Sequence, residues 1–291
     1  MTSKKDIILI YFLLTIEVLI LLNSKTVMQS VIKSCNMFVL KILPGILPSM
    51  IVGTLLVKLG VHKIIPRFIK KIFNKLFNFN DAMTSIFITS LICGSPSSAA
   101  FINEYLNNNK ISEKNALNLL CCTHFINPLF VIGTVGIGIF NSARIGISLF
   151  ILLTLSNLIK AFILRKNFIG QKNIYNINDH YNFINEFKKT LSTCSLQLLV
   201  IFAIVVLFNV LVSLIGNIFD LSITFETIIN MFLEMTGGIT KLSMIDINLK
   251  MKFILSYYTL SFGGLCIWMQ TISMITNKKI KYLKYFIFRL F

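Results

Sequence analysis

The chain reads as an all-α polytopic membrane protein, and three observations predict this. Its 291 residues are 55% hydrophobic and only 13% charged, more apolar surface than a soluble core of that size needs. Several apolar runs reach 18 to 25 residues, the length that crosses ~30 Å of hydrocarbon. Helix-breaking clusters then interrupt some of these runs, first at Gly94-Ser95-Pro96 within 86–102. Proline removes a backbone donor and disfavours helix at the residue before it. The groups so freed are tolerated at membrane depth only where protein or a watery cavity satisfies them.

A net charge of +17 admits two readings. Nucleic-acid binding needs a soluble basic face with reading elements, and none is visible. Lys and Arg gathered between apolar runs instead set topology and attract anionic headgroups. The six cysteines (Cys35, Cys93, Cys121, Cys122, Cys194, Cys266) contain no CxxC pair, and His62, His124 and His180 fall at no ligand spacing with them. Neither a metal nor a cofactor is therefore expected. With no acid pair and no nucleophile–base set, the chain is not expected to be an enzyme.

The first span, 7–22, follows Lys4 and Lys5, and no small-x-small cleavage site follows it, so it reads as a retained helix with a loop to residue 36. Glu17 within it is either a solvated interfacial acid or an intramembrane functional one. The second span, 37–59, carries Pro44 and Pro48, as a packing kink or a gating bend. Over 61–79 the pattern changes. Ile64, Ile65, Phe68, Ile69, Ile72, Phe73, Leu76 and Phe77 fall on one helical face, and Lys63, Arg67, Lys70, Lys71 and Lys75 on the other. This predicts an interfacial helix with its cations towards anionic lipid.

Segment 84–106 is broken at Gly94-Ser95-Pro96. Each arm is then roughly ten residues, half a bilayer at 1.5 Å per residue, which predicts a re-entrant hairpin. Span 116–140 breaks at Asn127-Pro128, and an uninterrupted span covers 145–164. A basic linker, 165–190, follows, with a short surface helix expected around Phe183, Ile184 and Phe187. A clean span covers 191–215. Segment 223–242 is interrupted at Glu234-Met235-Thr236-Gly237-Gly238, and 251–275 at Ser261-Phe262-Gly263-Gly264. Residues 278–291 are too short to span and read as an interfacial or half-inserted tail.

The order repeats: a broken hairpin precedes a broken span in 37–164 and again in 191–291. Paired, interrupted apolar segments in two halves are the sequence pointer to a transporter binding site at the repeat interface. Charge tests this arrangement. If both broken segments are hairpins, 20 cations fall on the side of Lys4, Lys5 and the amphipathic helix, and 7 on the other. The positive-inside rule then puts the N-terminus in the cytoplasm. The two hairpins enter from opposite sides, giving an inverted repeat with two re-entrant hairpins and two broken transmembrane helices.

Ile42-Leu43-Pro44-Gly45-Ile46-Leu47-Pro48, Gly94-Ser95-Pro96, Asn127-Pro128-Leu129-Phe130, Leu233-Glu234-Met235-Thr236-Gly237-Gly238 and Ser261-Phe262-Gly263-Gly264-Leu265 occur in that order. The set resembles the Gate-domain (nucleoside recognition) integral membrane proteins, and most closely their sporulation branch, the YlbJ/SpoVV family. The resemblance covers most of 37–291. It implies a fold like that of concentrative nucleoside transporters and, for the sporulation branch, movement of dipicolinic acid across the outer forespore membrane. Ser95 stands where the resemblance implies a tyrosine, and His124 where it implies a small polar residue.

Chemistry is expected at the breaks. The returning arm of the first hairpin offers free N–H groups and hydroxyls at Gly94, Ser95, Ser97 and Ser98 to an anionic group. Asn127 and the carbonyls unwound by Pro128 offer mixed donors and acceptors. Glu234 is the acid best placed for a coupling proton or cation, or for a protonated ring nitrogen. Thr236, Ser261 and Gln270 are neutral partners. Gly237 and Gly263 join them as places of close approach, and Pro96, Pro128, Gly238 and Gly264 are expected to break helices. The same small residues also serve plain helix packing, and His124 reads as either an interior hydrogen-bonding residue or a proton relay. Two functions follow. One is a transporter or facilitator of a small anionic metabolite. The other is a non-transporting Gate-domain scaffold or sensor that binds a ligand, a partner membrane protein or a second copy of itself.

Overall fold

The computed structural model describes residues 4–169, 182–277 and 279–290, and these form helices joined by turns with no strand among them. The middle of the expected linker, 170–181, and residues 278 and 291 of the expected tail lie outside the described residues. Helix α1 (Lys4–Leu22) leaves Ile8, Phe12 and Leu22 exposed, as lipid-facing residues are. Asn23 ends it, donating its amide to Leu19 O at 2.9 Å.

Helix α2 (Ser24–Met37), a π turn over Phe38–Ile42 and α3 (Leu43–Lys58) form one helical run of 35 residues. Residues 24–36, expected as loop, are therefore helical. Two of their polar side chains, Ser30 and Ser34, are buried, and Ser213 Oγ of α9 (Phe183–Phe219) lies 3.0 Å from Ser30 Oγ. The π turn sits immediately before Pro44, where the missing N–H breaks the regular ladder. Around Pro48, Ser49 Oγ donates to Gly45 O and Ile46 O.

By length and composition, three helical runs among the described residues suffice to cross a membrane: 24–58, 143–167 and 183–219. The last of these is α9, a single helix of 37 residues. The surface helix expected at Phe183–Phe187 is its first turns. Between the first two runs, α4 (Arg67–Phe77) meets α5 (Asp81–Cys93) at a 96° bend. Helix α4 turns Phe73 and Phe77 inward, where they meet Phe79 and Phe87 at ring separations of 5.5 to 6.3 Å. Ile64, Phe68, Ile72 and Leu76, each four residues from the next, stay exposed. Lys63, Arg67, Lys71 and Lys75 are exposed as expected. Lys70 differs: it pairs with Asp81 at 2.9 Å and pins α4 to the start of α5.

Helix α5 and α6 (Ser97–Asn107) pack on each other across Gly94-Ser95-Pro96, the antiparallel hairpin expected there. Helix α7 (Glu113–Cys122) then unwinds over 123–128 and resumes as a π-helix, Leu129–Ile137. Helix α8 (Ala143–Leu164) packs on that π-helix, with Gly136 and Gly146 so close that a Cβ on either would lie 2.6 to 3.0 Å from the other's backbone. In the second half, α10 (Ile223–Leu233) and α11 (Met235–Met244) form a tight pair. Helices α12 (Leu249–Phe262) and α13 (Gly264–Ser273) are separated by Gly263. The expected tail carries α14 (Leu283–Arg289), which packs on α7 and buries Tyr285 and Arg289. It is part of the core.

Candidate functional site

In the first half, the hairpin tip is clasped to the unwound segment. Ser95 N donates to Phe125 O at 2.6 Å, and a Cβ on Gly94 would fall 2.5 Å from Asn127 N. Gly94 adopts φ 76°, ψ −177°, which essentially only glycine occupies. Asn127 fastens the junction. Its amide donates to Ser49 Oγ (2.8 Å) and Cys93 O (3.2 Å), while its Oδ1 accepts from Leu129 N (2.8 Å). Pro96 follows a cis peptide bond, and Pro128 starts the π-helix.

The second half repeats this contact. Its break is the single extended residue Glu234 (φ −139°, ψ 110°), whose carboxylate accepts from Thr236 N (2.9 Å) and Gly237 N (2.6 Å) as the N-cap of α11. A Cβ on Gly264, at φ 71°, would lie 3.1 Å from Leu233 O and 3.3 Å from Met235 N. Each hairpin tip thus abuts the break in the helix that follows it. The two breaks also face each other, because a Cβ on Gly263 would meet His124 Nε2 at 2.8 Å. Gly238 does not break the helix as expected. It lies inside α11, where a Cβ would strike Met231 at 2.6 Å, so its role is the close packing of α10 on α11.

Between the tips lies a small cavity of about 30 Å³. Ser95 and Asn127 line it from the first half, and Glu234, Thr236 and Gln270 from the second, with an apolar wall that includes Ile42, Phe130, Val205 and Ile267. Five of the expected residues are therefore brought together. Ser97 and Ser98 lie in the first turn of α6 and Ser261 in the last turn of α12; these are buried but not among the lining residues. The hydroxyls of Ser95 and Ser97 have no partner among the described residues.

A larger cavity of about 390 Å³ lies on the other side of the α11 N-terminus, with Gly237 among its lining residues. Lys33, Lys41, Lys241, Asn209 and Asn230 line it, and Lys241 is paired with Glu226. Asn209 and Asn230 give their amide hydrogens to Val205 O and Glu226 O, one turn back in their own helices. Their Oδ1 atoms turn towards Gly237: a Cβ there would lie 3.1 Å from Asn230 Oδ1, 3.1 Å from Glu234 Oε2 and 3.7 Å from Asn209 Oδ1. Three oxygen acceptors around one point suit a proton or a small cation, while the lysines suit an anion at the wider end. Sequence reading passed over these residues. The available signal was two asparagines and Lys41 inside apolar runs, where polar groups are costly.

No protein-family model matches the chain, and no solved structure matches it. Among curated proteins it is similar to the sporulation integral membrane protein YlbJ of Bacillus subtilis (strain 168), with 27% identity over 108 residues. The matched stretch is 37% of this chain and 26% of that protein, so the chain spans about a quarter of the relative's length. The chain is a helical membrane protein, similar over part of its length to a sporulation integral membrane protein.

Proposed function

We propose that the chain is a membrane transporter or facilitator for a small anionic metabolite, of the class of dipicolinic acid, acting in sporulation. The observation that carries this reading is the small cavity lined from both halves, by the Ser95 hydroxyl and Asn127 amide of the first and by the Glu234 carboxylate, Thr236 hydroxyl and Gln270 amide of the second. A site built from discontinuous helices at the junction of two repeats is how many secondary transporters hold their substrates. In this reading the halves are inverted repeats and the N-terminus is cytoplasmic. The membrane is the outer forespore membrane, and α4 rests on its anionic headgroups. The wider, lysine-lined cavity is the loading vestibule, and Glu234 with Asn209 and Asn230 is the place for a coupling proton or cation. The residues act by binding and by conformational change, without covalent chemistry.

One observation favours a second reading. About 30 Å³ is room for one water and not for a dicarboxylate, so a protein that never opens further would be a scaffold or sensor. Uptake of radiolabelled dipicolinate into proteoliposomes separates the two. Saturable uptake is expected, lowered at least tenfold by Glu234→Gln and by Asn127→Ala. No uptake by correctly inserted wild-type protein would leave the scaffold reading standing.

A further inference from the structure

Arg289 is 2% exposed, and Nε, Nη1 and Nη2 of its guanidinium have no hydrogen-bond partner among the described residues. Lys160, 5% exposed on α8, likewise forms no hydrogen bond or ion pair among them. Lys160 lies in the field of Arg289, and His124, whose buried Nε2 has no hydrogen-bond partner among the described residues, lies in the field of both. These residues come together because α14 packs on α7 and α7 on α8. Asn157, one turn before Lys160, also donates its amide to His124 O at 2.9 Å. Lys284, the third cation of this region, is already bound to Asn118 Oδ1 at 2.5 Å.

Buried charges are normally paired, because an uncompensated ion away from water is expensive. Two cations with no carboxylate partner among the described residues form an arrangement that lacks its anion. The planar guanidinium with free parallel donors matches a carboxylate bidentately, and an ammonium adds a point charge to its second side. We propose that Arg289 and Lys160 form a buried binding site for a carboxylate group between α7, α8 and α14. The site is separate from the cavity between the hairpin tips and does not depend on transport.

Thermal unfolding of the full chain in detergent tests this, with acetate or malonate titrated at constant ionic strength against a bulky sulfonate. A saturable rise in midpoint on the order of 5 °C is expected at a hundredfold excess over Kd. Arg289→Met and Lys160→Gln should each abolish the rise, and without ligand neither should melt below the wild type, since each removes an unpaired charge. If Arg289→Met does not fold, Lys160→Gln alone carries the comparison. The proposal is overturned by an absent rise, by a rise that survives both substitutions, or by an equal rise with chloride or phosphate. Because this readout is binding without flux, its failure is distinct from failure of the uptake assay.

Discussion

At the scale of single residues, the junctions between tips and breaks leave no room for a side-chain atom. At Gly94 an added Cβ would meet Asn127 backbone at 2.5 Å in a region of φ and ψ closed to other residues. Gly94→Ala should therefore cost about 3 kcal/mol or more and lower both yield and melting temperature in detergent. Gly133→Ala, where nothing lies within 4 Å, should be neutral within about 1 kcal/mol. His62 gives a pH dependence. Burial, then the charges of Lys110, Lys63 and Lys70, push it down from 6.5 to about 4, with Asp81 opposing. It is neutral in the fold and contacts Tyr105 Oη at 3.1 Å. Between these two values the unfolded chain binds the extra proton. The His62 contribution is therefore complete above about pH 6.5 and is lost as pH falls towards 4, by up to about 3 kcal/mol. Unfolding midpoints across that window should decline in the wild type and flatten in His62→Gln.

At the scale of elements, α4 is held to the fold by two different forces and leaves one face bare. Its Phe73 and Phe77 enter the aromatic cluster, Lys70 pairs with Asp81, and the Ile64–Phe68–Ile72–Leu76 stripe stays exposed. Arg67, Lys71 and Lys75 are exposed and form no ion pair among the described residues. Replacing Lys71 and Lys75 by Gln should reduce retention of anionic lipid by about 1 kcal/mol per charge, read as less phosphatidylglycerol copurifying, with no change in zwitterionic lipid. Helix breaks were legible in the sequence because glycine, proline and asparagine are conspicuous in apolar runs, and four of them fall where expected. The helicity of 24–37 was not legible. Its Ser, Lys and Asn read as loop, but Ser30 and Ser34 turn towards the interior beside α9 while Lys25, Lys33 and Asn36 stay exposed. Gly238 was misassigned for a related reason: an interrupting glycine and a packing glycine look alike until the neighbouring helix is known. The burial of Arg289 was hidden as well, since a seven-residue helix too short to span gives no sign of the α7 surface that receives it.

At the scale of the molecule, the two halves meet through their weakest backbone points. Ser95 and Glu234 of the two hairpin tips and Ile126 and Asn127 of the unwound segment border the same small cavity, and Gly237, next in the chain to Thr236 of its wall, lines the larger one. Five of the expected site residues line that cavity, because the sequence marked the breaks, and the breaks are what the fold brings together. The vestibule came only from the fold, since Lys33, Asn209 and Lys241 are far apart in the chain and share no motif.

Trp268 is the one tryptophan in the chain. Its indole N–H donates to Phe262 O across the Gly263 break at 2.8 Å, and its ring stacks on Phe286 of α14 at 4.8 Å. The molecule therefore carries a built-in fluorophore wired to two moving candidates at once, the broken helix and the C-terminal helix beside Arg289. Any rearrangement that separates them changes the indole's surroundings, so its emission follows that rearrangement in unlabelled protein, in real time and in a bilayer.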